Sequence, residues 1–164
     1  MVIRLLKHLF IPDWWVRRVF PPPSMENIAA VIRETESQHQ GQICFVVETS
    51  LDLRPLLRGQ SARQRAIEVF SGLRVWDTEH NNGILIYLLY ADRDVEIIAD
   101  RGINAHVSAG EWERICQEME ASFRQGRFEE GIIAGIRAVS GHLARHYPVE
   151  ETSGNELSDR PVLL

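Results

Sequence analysis

Residues 43–47 and 84–90 are apolar at every position, ICFVV and ILIYLLY, without the alternation of a strand that has one wet face. Such runs predict strands covered on both sides, as in the sheet of an α/β domain. Between them, Ser61-Ala62-Arg63-Gln64 reads as a capping box opening a helix that runs to Phe70 or Leu73, while 51–59 reads as irregular. A strand, a helical crossover and a second strand form a βαβ unit, so the two strands are expected to be parallel. The Asp92-Arg93-Asp94 turn is short, so residues 95–99 should fold back antiparallel and make the sheet mixed.

Helical periodicity covers most of the remainder. Pro21-Pro22-Pro23 ends what precedes it, and Ser24 offers an N-cap for a helix through about His39, with Ile28, Val31, Ile32 and Thr35 on one face. Ser108 and Glu111 form a second capping box, for a helix presenting Trp112, Ile115, Cys116, Met119 and Phe123. After Gly126, Phe128, Ile132, Ile133, Ile136, Val139 and Leu143 recur at helical spacing up to Pro148. The expected fold is a single α/β domain, a three-layer α/β/α sandwich around a mixed β-sheet, over 24–147. A basic, aromatic segment over 1–23 precedes it, and a polar tail over 148–164 is expected to be disordered.

Composition narrows the function. The 164 residues carry a formal net charge of −5, which argues against nucleic acid as a partner. The two cysteines, Cys44 and Cys116, sit in apolar surroundings and read as buried hydrophobes, which fits a reducing, cytoplasmic location. In the first twenty residues Lys7, His8 and Pro12-Asp13 interrupt the apolar run of a signal peptide, and no other run reaches the ~20 residues of a membrane span. Those twenty residues hold Arg4, Lys7, Arg17 and Arg18 against Asp13 alone. Trp14, Trp15, Arg17 and Arg18 therefore fit either peripheral contact with an anionic membrane or membrane partner, or a helix packed on the domain.

Strand length sorts the polar residues into two groups, because seven residues at ~3.3 Å each separate the strand ends by about 20 Å. Asp77, Glu79, His80, Asn81, Asn82 and Gly83 fall at one end with Asp100, Arg101, Gly102 and Asn104. There Asp77, Glu79 and Asp100, with the carboxamides, are hard oxygen donors suited to Ca2+ or Mg2+, while Asn-Asn-Gly also suits a tight turn. Arg101 can neutralise a carboxylate or receive an anion. Glu48, Thr49 and Asp92 fall at the other end, where ligands of open α/β sheets bind, although Asp-Arg-Asp is also an ordinary solvated turn. His142 and His146, four apart on the last helix, have no evident third ligand and read as a solvated edge.

In order, GQICFVVE, the helix ending EVFSGLRVWD, NNGILIYLLYADRDVEIIADRGI and FRQGRFEEGIIAGI resemble the TPM domain over about residues 24–147. The resemblance implies an α/β sandwich with a mixed sheet. It implies divalent-cation binding or acid phosphatase activity, and marks Asn81, Asn82, Gly83 and Gly102 as the family's polar pocket. A phosphatase would need a nucleophile from Asp77, Asp100 or a cation-activated water. Many members are tethered to membranes, and some are linked to photosystem repair. Two departures stand out: VFPPPS replaces an early strand and its Asp, and Ser-Ala-Gly-Glu replaces an Asp-Ala helix start.

Overall fold

A computed structural model describes residues 2–149 and 154–164. Two short helices, α1 (Val2–Phe10) and α2 (Asp13–Val19), lead into α3 (Pro22–Glu36) and strand β1 (Gln42–Glu48). Helices α4 (Leu53–Leu57) and α5 (Ala62–Gly72) connect β1 to β2 (Gly83–Leu89), and β3 (Asp94–Ala99) follows by a hairpin. A four-residue helix α6 (Arg101–Asn104), long helices α7 (Ala109–Arg124) and α8 (Phe128–His146), and a short strand β4 (Val162–Leu163) complete the chain. The sheet order is β3-β2-β1-β4, with β1 parallel to β2 and β4, and β2 antiparallel to β3.

Both central strands are buried at every position. On one face Ile43, Phe45, Ile84, Ile86 and Leu88 pack with α3, α7 and α8; on the other Cys44, Val46, Leu85, Tyr87 and Leu89 pack with α4 and α5. This is the expected sandwich. Both capping boxes are present, at Ser61–Gln64 and Ser108–Glu111.

Three local readings change. Helix α3 begins at Pro22, with Pro21 as N-cap and Ser24 buried inside the first turn. Proline suits these positions because the first-turn N–H groups have no helical partner. Leu53–Leu57 forms a helix turn rather than irregular chain, with Leu56 in the core. The tail, expected to be disordered, is ordered over 154–164: Gln42 Oε1 accepts the Glu156 and Leu157 N–H groups at 2.9 Å each, and Val162 and Leu163 pair with Val46 and Val47. Its polar composition hid the apolar end Pro161-Val162-Leu163-Leu164, which occupies the otherwise open edge of β1. Residues 150–153 lie outside the described residues.

Candidate functional site

Asn81 organises the entry to β2. Its backbone is left-handed (φ 52°), a conformation Asn tolerates, and this turns its carbonyl toward α6. That carbonyl accepts the N–H groups of Gly102 (2.9 Å) and Ile103 (3.3 Å), and its Oδ1 accepts from Arg101 Nε at 3.0 Å. Asp100 caps α6 through Oδ1, which accepts the Arg101 N–H at 2.7 Å, while the Asp100 N–H donates to the Gly83 carbonyl at 2.9 Å. Gly102 has no room for a side chain: a Cβ there would lie 2.5 Å from the Asn81 carbonyl oxygen and 2.8 Å from the Tyr147 hydroxyl. Burial and the nearby Asp100 carboxylate raise the pKa of Tyr147.

The next residue behaves differently. Asn82 is wholly buried, and its N–H is held by Thr78 Oγ1 at 3.1 Å, yet both polar atoms of its carboxamide lack a hydrogen-bond partner. The second oxygen of Asp100, a residue 8% exposed, is also unpartnered. An orphaned buried polar atom costs about 1–3 kcal/mol. These atoms sit at one end of the paired strands β2 and β3.

The other members of the predicted cluster lie outside this centre. Asp77 is exposed and paired with Arg74 (Nη2 to Oδ2, 3.1 Å), and Glu79 is exposed, its N–H held by Glu156 Oε2 at 3.0 Å. Among the described residues, no group of three or more His, Cys, Asp or Glu side chains is arranged to hold a metal ion. Nearby His39 is buried with Nδ1 3.1 Å from the Gly41 carbonyl, and burial lowers its pKa to about 4. Glu36 is driven the other way, to about 8, by burial and then by Asp159 of the tail, against the Ile43 N–H that it accepts.

At the opposite end two of the three secondary candidates, Glu48 and Asp92, already have side-chain partners. Glu48 accepts the buried Tyr87 hydroxyl at 2.5 Å and both Arg65 Nε (2.9 Å) and Nη2 (3.0 Å). Burial and the Glu48 hydrogen bond raise the pKa of Tyr87, and the same carboxylate raises that of Arg65. Thr49 is buried, and its hydroxyl has no partner. Asp92, in a turn that sequence statistics describe as solvated, clamps α1: Arg4 Nε lies 2.8 Å from Oδ2, and His8 Nε2 lies 3.1 Å from Oδ1. His8 Nδ1 accepts the Leu51 N–H at 2.9 Å, which assigns the ring proton to Nε2, facing Asp92.

Of these partners, His8, Arg65, Tyr87 and Thr78 carry no motif. Only the position of Thr78, four residues before Asn82, hints at a local cap. His142 and His146 diverge: His142 meets Trp112 edge-on with centroids 5.4 Å apart, and His146 stacks on His106 at 4.9 Å. Cys44 and Cys116 are free and buried, and burial pushes their thiols up to about 11 and about 12.

A mixed sheet between helical layers, with a polar strand-end centre built on Asn-Asn-Gly, defines the class: an α/β sandwich domain with a candidate binding site. The sequence matches the TPM domain over residues 17–142, and the chain belongs to that family. It is similar in structure to the BA42 protein from the psychrophilic bacterium Bizionia argentinensis. The TM-score is 0.76 and the identity 27%, with 87% of this chain and 93% of that one covered. The N-terminal domain of a P. gingivalis protein shares the fold at TM-score 0.65 and 18% identity, over 86% of this chain and 95% of that one. No curated protein matches the chain.

Proposed function

We propose that this TPM domain is a binding module whose ligand, a divalent cation, engages Asp100 Oδ2 and the Asn82 carboxamide. The observation that carries this reading is the buried Asn82 side chain with both polar atoms unpartnered, beside a strand that ends in a half-used carboxylate. Calcium suits such a site better than magnesium, since it accepts neutral carbonyl oxygens in irregular geometry. Only the family relationship speaks for phosphomonoester hydrolysis.

Titration of the protein with CaCl2 and MgCl2, followed through backbone amide NMR shifts, tests the reading. The expected result is saturable shifts over 81–83 and 100–102, lost in Asp100→Asn and retained in Asp77→Asn, whose carboxylate already serves Arg74. No shift at millimolar cation would sink it, leaving ordered water as the partner of these atoms. Shifts centred on Asp77 and Glu79 would move the ion to the exposed loop.

A second reading rests on a separate observation. Helices α1 and α2 leave Ile3, Leu6, Phe10, Trp14 and Trp15 exposed, with Phe10 at 77%, while Lys7, Arg17 and Arg18 stand exposed on the same helices. Among the described residues no helix is long and apolar enough to cross a membrane, but this segment suits peripheral docking on an anionic one. Because His8 and Arg4 hold α1 to the body, point variants test this better than truncation. Sedimentation with phosphatidylserine vesicles should fall several-fold for Trp14→Ala/Trp15→Ala. Equal binding to neutral phosphatidylcholine vesicles, or no loss in the variant, would refute it.

A further inference from the structure

Segment 154–164 closes the outer edge of β1 with few bonds of its own. Gln42 Oε1 accepts its Glu156 and Leu157 N–H groups, and Glu156 Oε2 accepts the Glu79 N–H at 3.0 Å, which ties the loop before β2 to the segment. The ladder to β1 has two residues, Val162 and Leu163, followed by the Leu164 N–H, which donates to the Val47 carbonyl at 2.9 Å. Leu157 and Val162 add apolar contact on the α4 and α5 side of the sheet, but both stay half-buried. So short a strand holds weakly by itself, and each further contact is a sizeable share of the grip.

That further contact is a pair of carboxyl groups. Glu36, at the end of α3, accepts the Ile43 N–H through Oε1 at 2.7 Å, and its carboxyl is hydrogen-bonded to that of Asp159 beside a pocket of about 350 Å³ between α3 and the segment. Among the described residues neither carboxyl has a Lys, Arg or His in ion-pair contact. Arg33 lines the same pocket but is held by Glu26 at 3.1 Å. His39, its pKa lowered to about 4, and the Cys44 thiol, pushed up to about 11, are both neutral at pH 6 to 8. Two carboxylates cannot hydrogen-bond each other, so one of the pair carries a proton. Asp159 Oδ1 also accepts from Asn155 Nδ2 at 2.8 Å, which suits it as the acceptor and leaves the proton to Glu36.

We propose that segment 154–164 is a releasable strap, gripped by the single proton that Glu36 shares with Asp159, and that loss of this proton frees the edge of β1 and the Glu79 loop together. The direction follows from Glu36. Burial, then Asp159, pushes its carboxyl up to about 8 from an ordinary 4.5, so the docked segment holds the proton more tightly than the released one. The grip is complete below the ordinary carboxylate value, weakens as pH rises above it, and is lost as pH passes about 8. Above that, two negative charges face each other with no cation between them.

Amide hydrogen exchange of the whole protein tests this, expressed as protection factors so that the intrinsic pH dependence of exchange cancels. Protection at Leu157 and Leu164 should fall about tenfold between pH 6 and pH 8.5, while that of Ile86 in β2 stays constant. The Glu79 amide shift should move over the same range. Glu36→Gln keeps an acceptor for Ile43 and a donor for Asp159 without a titrating group, and should hold protection level across the range. Asp159→Asn, on the strap itself and away from the core, should level it too. Protection at Leu164 that is constant in wild type would overturn the proposal, as would either variant with the wild-type pH dependence. An equal fall at Ile86 would assign the effect to global unfolding and overturn it as well.

Discussion

Gly83→Ala is expected to cost about 3–4 kcal/mol and to lower the melting temperature by on the order of 10 °C. A Cβ at this position collides with the carbonyl oxygen of Val75, a backbone atom that no rotamer change can move aside. Gly83 opens the buried central strand, and its carbonyl receives the Asp100 N–H, so relief by backbone shift would disturb the ladder that positions Asn82 and Asp100. The glycine is required by close approach, since Gly83 is absent from the positive-φ positions. Gly141→Ala provides the contrast: it lies exposed on α8 with open space around it, and alanine there should stabilise by about 0.5–1 kcal/mol through helix propensity. Urea unfolding of both variants checks the pair. A Gly83→Ala midpoint within error of wild type would show that the Val75 segment is free to retreat.

The second large effect lies at Glu48. Glu48→Ala should cost about 2–4 kcal/mol, because it strands the hydroxyl of a fully buried Tyr87 and removes the two-point partner of Arg65. The figure sits below the usual penalty for breaking a buried ion pair because the Arg65 side chain is 30% exposed and can turn to water. Tyr87→Phe alone should cost about 1–2 kcal/mol. The double variant should cost clearly less than the sum, since removing the hydroxyl also removes the orphan that Glu48→Ala creates. A denaturant double-mutant cycle measures this. Additive penalties, or a Glu48→Ala protein as stable as wild type, would return Glu48 to the list of candidate ligands.

These positions show where sequence reading works. The runs at 43–47 and 84–90 announced covered strands because burial on both faces leaves no room for a polar alternate. The capping boxes at Ser61 and Ser108 were legible because capping is chemistry within four residues. Asn81 was recognisable as a turn residue and Gly83 as part of a family motif. Nothing local distinguished Asn82, whose carboxamide is stranded in the interior, from its neighbour, whose carboxamide binds Arg101. Asp77 and Glu79 looked equivalent to Asp100 as oxygen donors, yet two of the three stand in solvent. Asp92 looked like a solvated turn until α1 arrived with Arg4 and His8 from 88 residues and more than eighty residues away in sequence.

What the sequence determined alone is therefore the two central strands, the returning third strand, the main helices, the mixed sheet and the strand end at which polar residues collect, all consequences of short-range periodicity, capping and turn length, while the order of its motifs carried the family resemblance. Tertiary structure decided which polar groups are already satisfied. It tied Glu48 to Tyr87 and Arg65, Asp92 to α1 and Asp77 to Arg74, and it brought the tail back to β1. It also left the Asn82 carboxamide, Asp100 Oδ2 and the Trp112 indole N–H without hydrogen-bond partners. The physical reason is that a polar group's role depends on desolvation and on partners far away in the chain, and neither is encoded in the spacing of its neighbours.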